Sequence, residues 1–330
     1  MKTIALMQFG DPSNFTALEA PTPAVVPRHL LIRVVAASVN PVDTKFRKNG
    51  PPIAPALPAV LGCDVAGVVD AVGEGVDGFR VGDEVYACAG GVRGLGGAYA
   101  EYLLADARLV ALKPKTLSLR EAAALPLVSI TAWEGLFDRA KLQAGETVLV
   151  HGGAGGVGHV ALQLAKLTGA KVFATVSSTA KADIARRLGA DEVINYREET
   201  VEQYVARATG GKGFDVVFDG IGAANLPNSL AAAGLGGRVA SIVTSGQQDI
   251  TAMHGKGLTL HAVFMLVPMI YNVGRERHGR ILRELAAHVD AGRVKPLLDP
   301  RRFTLDQVAD AHRHLESGQA VGKIVIDVAA

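Results

Sequence analysis

The chain has 330 residues, 49% hydrophobic and 20% charged, with a formal net charge of +2. This is the balance of a soluble globular protein long enough for two domains, and it offers no basic stripe to a nucleic acid. Two cysteines, Cys63 and Cys88, exclude a disulfide framework and a four-cysteine zinc site, and no apolar run has the length of a membrane span or a signal peptide, so a cytoplasmic location is expected.

Residues 1 to about 120 predict β structure broken by turns. Leu30–Ala37 and Val65–Val72 are apolar strand candidates, the second interrupted by Gly67. Prolines 51, 52, 55 and 58 mark an irregular loop, and strands crowded with Gly and Pro turns suggest a barrel-like domain. Leu119–Leu125 and Thr131–Lys141 read as helices. From Thr147 onward, short β-branched runs alternate with amphipathic helices as far as a strand at Arg238–Val243. Repeated βα units of this size imply a parallel sheet with helices on both faces. The tail, with a helix at Arg280–Asp290 and a closing strand at Lys323–Val328, is expected to return to the first domain.

Between the strand at Thr147–Val150 and the following helix stands Gly152-Gly153-Ala154-Gly155-Gly156-Val157-Gly158. Gly153, Gly155 and Gly158 have G-x-G-x-x-G spacing in a strand–turn–helix context, which makes a dinucleotide site the expectation. The first glycine serves a tight turn, the second a close approach to pyrophosphate, and the third helix–strand packing. The helix N-terminus adds unpaired N–H groups and a positive dipole end.

An NAD site ends its second strand in a carboxylate that binds the ribose hydroxyls. Here Lys171–Val176 runs into Ser177-Ser178-Thr179, followed by Lys181. No carboxylate repels a 2′-phosphate and Lys181 is available to pair with one, so NADPH is the expected cofactor. Further cofactor positions fall at Thr131, at Asn225 after the fourth strand, and at Ile242, Val243, Thr244 and Ser245 after the fifth. The scattered histidines, His151 beside the glycine turn among them, show no metal-binding spacing and are expected to be structural or exposed.

Several stretches resemble the medium-chain dehydrogenase/reductase superfamily, and most of all its zinc-independent quinone oxidoreductases related to zeta-crystallin. They are Ser38-Val39-Asn40-Pro41-Val42-Asp43-Thr44, Gly62-Cys63-Asp64, Val81-Gly82-Asp83-Glu84-Val85, the glycine turn, Leu188-Gly189-Ala190 and Val193-Ile194-Asn195-Tyr196. The resemblance implies an α/β fold: a GroES-like β-barrel catalytic domain, 1–120 with 291–330, and a doubly wound Rossmann domain, 121–290. It implies contacts to the 2′-phosphate from Lys181 and Tyr196, and places Val263, Phe264 and Met265 near the nicotinamide. The positions matching the zinc ligands of other members carry Asn40, Cys63-Asp64 and Ser129, a set too poor for catalytic zinc, so no metal is expected.

Without a metal, hydrogen bonds must polarise the substrate. The resemblance places Asn40 near the nicotinamide, and Asn40 carries amide donors. Asp43 either orients a neighbouring group or substrate, or caps a helix. Lys45 stands where many quinone reductases carry Tyr; it brings a charge to the pocket or points to solvent. Tyr86 and Tyr99 are alternative phenol donors. The expected activity is NADPH-dependent hydride transfer to a small electrophile, a quinone or similarly activated double bond. Enal, enone or enoyl-thioester reduction is the enzymatic alternative, and a non-catalytic NADPH- or RNA-binding role the other. Leu258–Met265 is too apolar for a bare edge, and a homodimer joined through it is expected.

Overall fold

A computed structural model describes residues 1–329. The chain forms two compact units: 1–127 with 266–292 and 296–330, and 128–265 with 293–295.

The first unit is organised by the strand His29–Val39, whose apolar sequence is buried along most of its length. It pairs antiparallel with Asp64–Val72 on one edge. On the other edge Tyr102–Asp106 takes residues 29–33, and Ile324–Asp327 takes residues 36–39. Glu84–Cys88 and Val110–Leu112 continue the sheet beyond Asp64–Val72. A second sheet joins Lys2–Leu6 to Phe15–Glu19 and Ala59–Val60. Gly67 does not interrupt its strand. A Cβ there would lie 2.2 Å from the Arg33 carbonyl oxygen, so glycine is what lets the two backbones close at an irregular register.

The stretch 266–290, expected with the nucleotide domain, groups instead with this first unit. The reason lies in its polar anchors. Arg275 meets Asp106 at 2.9 Å, the Tyr86 hydroxyl donates to the Leu282 carbonyl at 2.5 Å, and Asp290 accepts from Thr116 N–H at 3.0 Å. The helix Glu276–Asp290 buries Ile281, Leu282 and Leu285.

The second unit is a six-stranded parallel sheet. In spatial order its strands are Glu192–Asn195, Lys171–Val176, Thr147–His151, Phe214–Asp219, Ala233–Ser241 and Thr259–Ala262. This is the doubly wound 3-2-1-4-5-6 order, with its switch point between Thr147–His151 and Phe214–Asp219. Leu149, Phe173, Phe214, Val217 and Val239 form its core, the two Phe rings edge-on at 5.0 Å. Each such side chain contributes roughly 1.5–3 kcal/mol by burial. The helix expected at Thr131–Lys141 begins earlier, at Pro126, and widens into a π-helix over Glu134–Arg139. Gly135 sits in that turn against Phe218, where a Cβ would come within 2.4 Å of the ring. Among the described residues no helix is long and apolar enough to cross a membrane.

Candidate functional site

A cavity of about 610 Å³ opens in the second unit at the carboxyl ends of the strands, where an open α/β sheet binds its ligands. The turn from Gly152 to Gly158 forms one wall and the helix Gly158–Leu167 starts directly behind it. A Cβ on Gly158 would lie 2.1 Å from the Gly152 carbonyl oxygen, so the third motif glycine does serve close packing. The left-handed residue is Gly152, at φ 75°, one position before the expected Gly153. Gly153 is needed instead because a Cβ would meet that of Ala174 at 2.9 Å, and it does not line the cavity.

Ala154, Gly155, Gly156, Val157, Ser177, Lys181, Tyr196 and Asn225 line the cavity as expected. Lys181 makes no ion pair among the described residues, and Tyr196 is 54% exposed. Asn225 donates through its amide to Asp219 at 3.0 Å, which ties the fourth strand's end to the next helix. Thr131, Ile242 to Ser245, and Val263 to Met265 are not among the lining residues. Val243 instead holds the neighbouring turn, its carbonyl accepting Ala223 N–H at 2.8 Å. Thr131, Val263 and Met265 are buried, and Phe264 is exposed.

His151 is buried, as a structural histidine would be; what the sequence reading missed is that it borders the cavity. It lies at the end of the first strand, lines the cavity, and is held 3.1 Å from the Thr175 hydroxyl, which also accepts Gly152 N–H at 3.2 Å. Burial pushes its imidazole down to about 4, so it is neutral at physiological pH. Glu199 and Glu202 were also missed. Arg207 neutralises Glu199 at 2.8 Å, leaving Glu202 as a carboxylate on the rim. The strand-end rule finds His151 once the strand is drawn one residue longer; nothing local marks the two glutamates.

The first unit holds a second, buried cluster around Asn40. Strand register builds it. Ser38 pairs with Asp64 on one side, and Val39 with Ile324 on the other. Asn40, one residue further, therefore lies between Asp64 and Lys323. All three are buried. Asn40 Nδ2 donates to Asp64 Oδ2 at 2.9 Å, and Lys323 Nζ donates to Asn40 Oδ1 and to the Val39 carbonyl at 3.2 Å. Asp64 also accepts from Ser38 Oγ and Leu127 N–H, both at 2.8 Å. Asp43, in the first turn of the helix Pro41–Asn49, accepts Asn40 N–H at 2.8 Å and the Cys63 thiol at 3.4 Å. Burial raises its carboxyl to about 6 against the pull of that N–H. Lys45 is exposed on the same helix. Tyr86 and Tyr99 are buried, the latter 3.1 Å from His312 Nε2.

Residues 26–115 match the alcohol dehydrogenase GroES-like domain, and residues 188–326 match the zinc-binding dehydrogenase family. The quinone oxidoreductase of Sus scrofa is 34% identical over 331 residues, covering 99% of this chain and 97% of its own. The chloroplastic NADPH-dependent alkenal/one oxidoreductase of Arabidopsis thaliana is 36% identical, covering 96% of this chain and 78% of its own. The crystal structure of Escherichia coli quinone oxidoreductase complexed with NADPH has a TM-score of 0.89 at 29% identity, covering 99% of this chain and 100% of that one. A dinucleotide-dependent oxidoreductase is the class that fold and cavity define. Within it, the chain belongs to the medium-chain dehydrogenase/reductase superfamily, in the branch of the quinone oxidoreductases.

The zinc in the second family description does not suit this chain's residues. Asn40 offers an amide, Asp64 is committed to Lys323, and the Cys63 thiol, directed at Asp43, is raised well above its ordinary value by Cys88 and burial. Among the described residues no group of three or more His, Cys, Asp or Glu is placed to hold a metal.

Proposed function

We propose that the chain is a zinc-independent, NADPH-dependent reductase of quinones or enones. One observation carries the cofactor choice. The strand Lys171–Val176 ends without a carboxylate, and the cavity at that end is lined by Ser177 and an unpaired Lys181. The names of the quinone and alkenal/one oxidoreductase relatives support the substrate class. The glycine cradle, closed to any Cβ at Gly158, suits a diphosphate approached by backbone.

In this reading Lys181 and Ser177 bind the 2′-phosphate, and Tyr196 covers the adenosine. Bound NADPH supplies the hydride. Asn40 donates a hydrogen bond to the substrate oxygen on which negative charge gathers, and Asp43 fixes the backbone of Asn40 through its N–H. The proton comes from solvent, since the buried phenols are already engaged. Lys45, exposed, bears on substrate entry at most. The protein is cytoplasmic in this reading, its two buried free thiols being suited to a reducing compartment.

The test is NADPH oxidation with a panel of quinones, enals, enones and enoyl thioesters, before and after dialysis against a strong chelator. Turnover of quinones or enones that survives dialysis is expected. Exclusive turnover of thioesters, or activity restored only by zinc, would overturn the reading.

A further inference from the structure

The cluster around Asn40 contains a constraint that the reductase chemistry alone does not require. Lys323 has only donors, so the Asn40 atom it meets must be the amide oxygen. With the oxygen so engaged, the atom that faces Asp64 Oδ2 is the amide nitrogen. The two charges together fix which way the amide faces. Nδ2 carries two N–H groups, and among the described residues only one finds an acceptor, Asp64. The other is left as a donor with a set direction.

We propose that Lys323 is a positioning residue for reduction: by holding Asn40 Oδ1 it fixes the amide so that the second Nδ2–H is the one presented to the substrate oxygen. The proposal rests on the reading that Asn40 is the donor. Lys323 also sets a positive charge beside the buried Asp64, lying 3.4 Å from Asp64 Oδ2. That charge polarises the amide and strengthens its remaining N–H. The residue stands at the start of the closing strand, one position before Ile324, whose pairing with Val39 brings it to the site.

The experiment compares Lys323→Arg, Lys323→Gln and the double variant Asp64→Asn with Lys323→Gln. Three assays are run: kcat and KM with a simple benzoquinone, NADPH affinity by fluorescence, and melting temperature. A fourth readout is the side-chain amide proton pair of Asn40 in protein free of NADPH, identified by its loss in Asn40→Ala. Lys323→Gln, which can face either end of an amide, should lower kcat roughly 10- to 100-fold, the scale of a lost oxyanion donor, with NADPH affinity unchanged. Its Asn40 amide signals should broaden or move. Lys323→Arg, still donor-only, should keep most of kcat. The double variant removes both buried charges and should recover melting temperature without recovering kcat. Recovery of kcat together with melting temperature would show a merely structural role and overturn the proposal. So would a Lys323→Gln enzyme with wild-type kcat. A wild-type protein that reduces no acceptor would sink the reductase reading instead, while the amide signals would still report whether Lys323 holds Asn40.

Discussion

Gly152 and Gly158 pack so closely that a Cβ on Gly158 would stand 2.1 Å from the Gly152 carbonyl oxygen. Both are backbone contacts of the loop that walls the cavity, and neither can yield without moving it. Gly158→Ala should therefore cost about 1–3 kcal/mol of stability, as overpacking does, and weaken NADPH binding with it. Gly255→Ala, in the helix Thr251–Lys256 where nothing lies within 4 Å of an added Cβ, is the control: it should leave NADPH binding unchanged and stability unchanged or slightly raised, since alanine favours a helix over glycine. Thermal melts and cofactor titrations of the two variants check this.

Asp43 gives a pH dependence with a definite sign. Its carboxyl is raised to about 6 in the folded protein from an ordinary 3.8, chiefly by burial. Between those values the folded state binds the extra proton, so this group's contribution to stability falls as pH rises through the window and is lost above it. Asp43→Asn keeps an oxygen for Asn40 N–H and removes the titration. Relative to wild type the variant should gain stability between pH 4 and pH 8, by on the order of 2–3 kcal/mol. Melting curves across that range measure it. A constant difference between the two proteins would contradict the assignment.

The strand Thr259–Ala262 is the sixth and last of the parallel sheet, with one edge unpaired among the described residues. The apolar run around it extends to Phe264, which is 43% exposed. A homodimer through this edge is expected, as the sequence predicts. Ala262→Lys, at an exposed position of that strand, should shift the protein to monomer in light scattering at micromolar concentration. A wild-type monomer under those conditions would dismiss the dimer.

The nucleotide-binding unit was legible because its signals are local. A short apolar, β-branched run gives way to an apolar helix along Thr147–Leu167, and the glycines fall at the switch. The turn itself was misjudged by one residue, because left-handed geometry at Gly152 cannot be told from glycine spacing alone. Elements set by distant packing were harder to read. The segment 266–290 looks like any amphipathic continuation of a βα series; its place follows from Arg275 meeting Asp106, 169 residues away. Asn40 and Asp43 enter as proposed site residues through a resemblance, whereas nothing in the sequence points to Lys323. Its contact with Asn40 spans 283 residues and exists only because two strands flank Val39. His151 was read as structural because a neutral histidine beside a strand end looks the same whether or not a cavity opens against it.

Selection of NADPH by this cavity turns on Lys181, which lines it beside Ser177. A charge-assisted hydrogen bond to a phosphate contributes roughly 1.5–3 kcal/mol, or on the order of 10- to 100-fold in affinity. The measurement is kcat/KM for NADPH and NADH, in wild type and Lys181→Ala, at low and high salt. The account predicts that wild type prefers NADPH by about that factor, that the preference shrinks as salt rises, and that Lys181→Ala loses most of it with NADH use nearly unchanged. Equal use of the two cofactors by the wild type would contradict it.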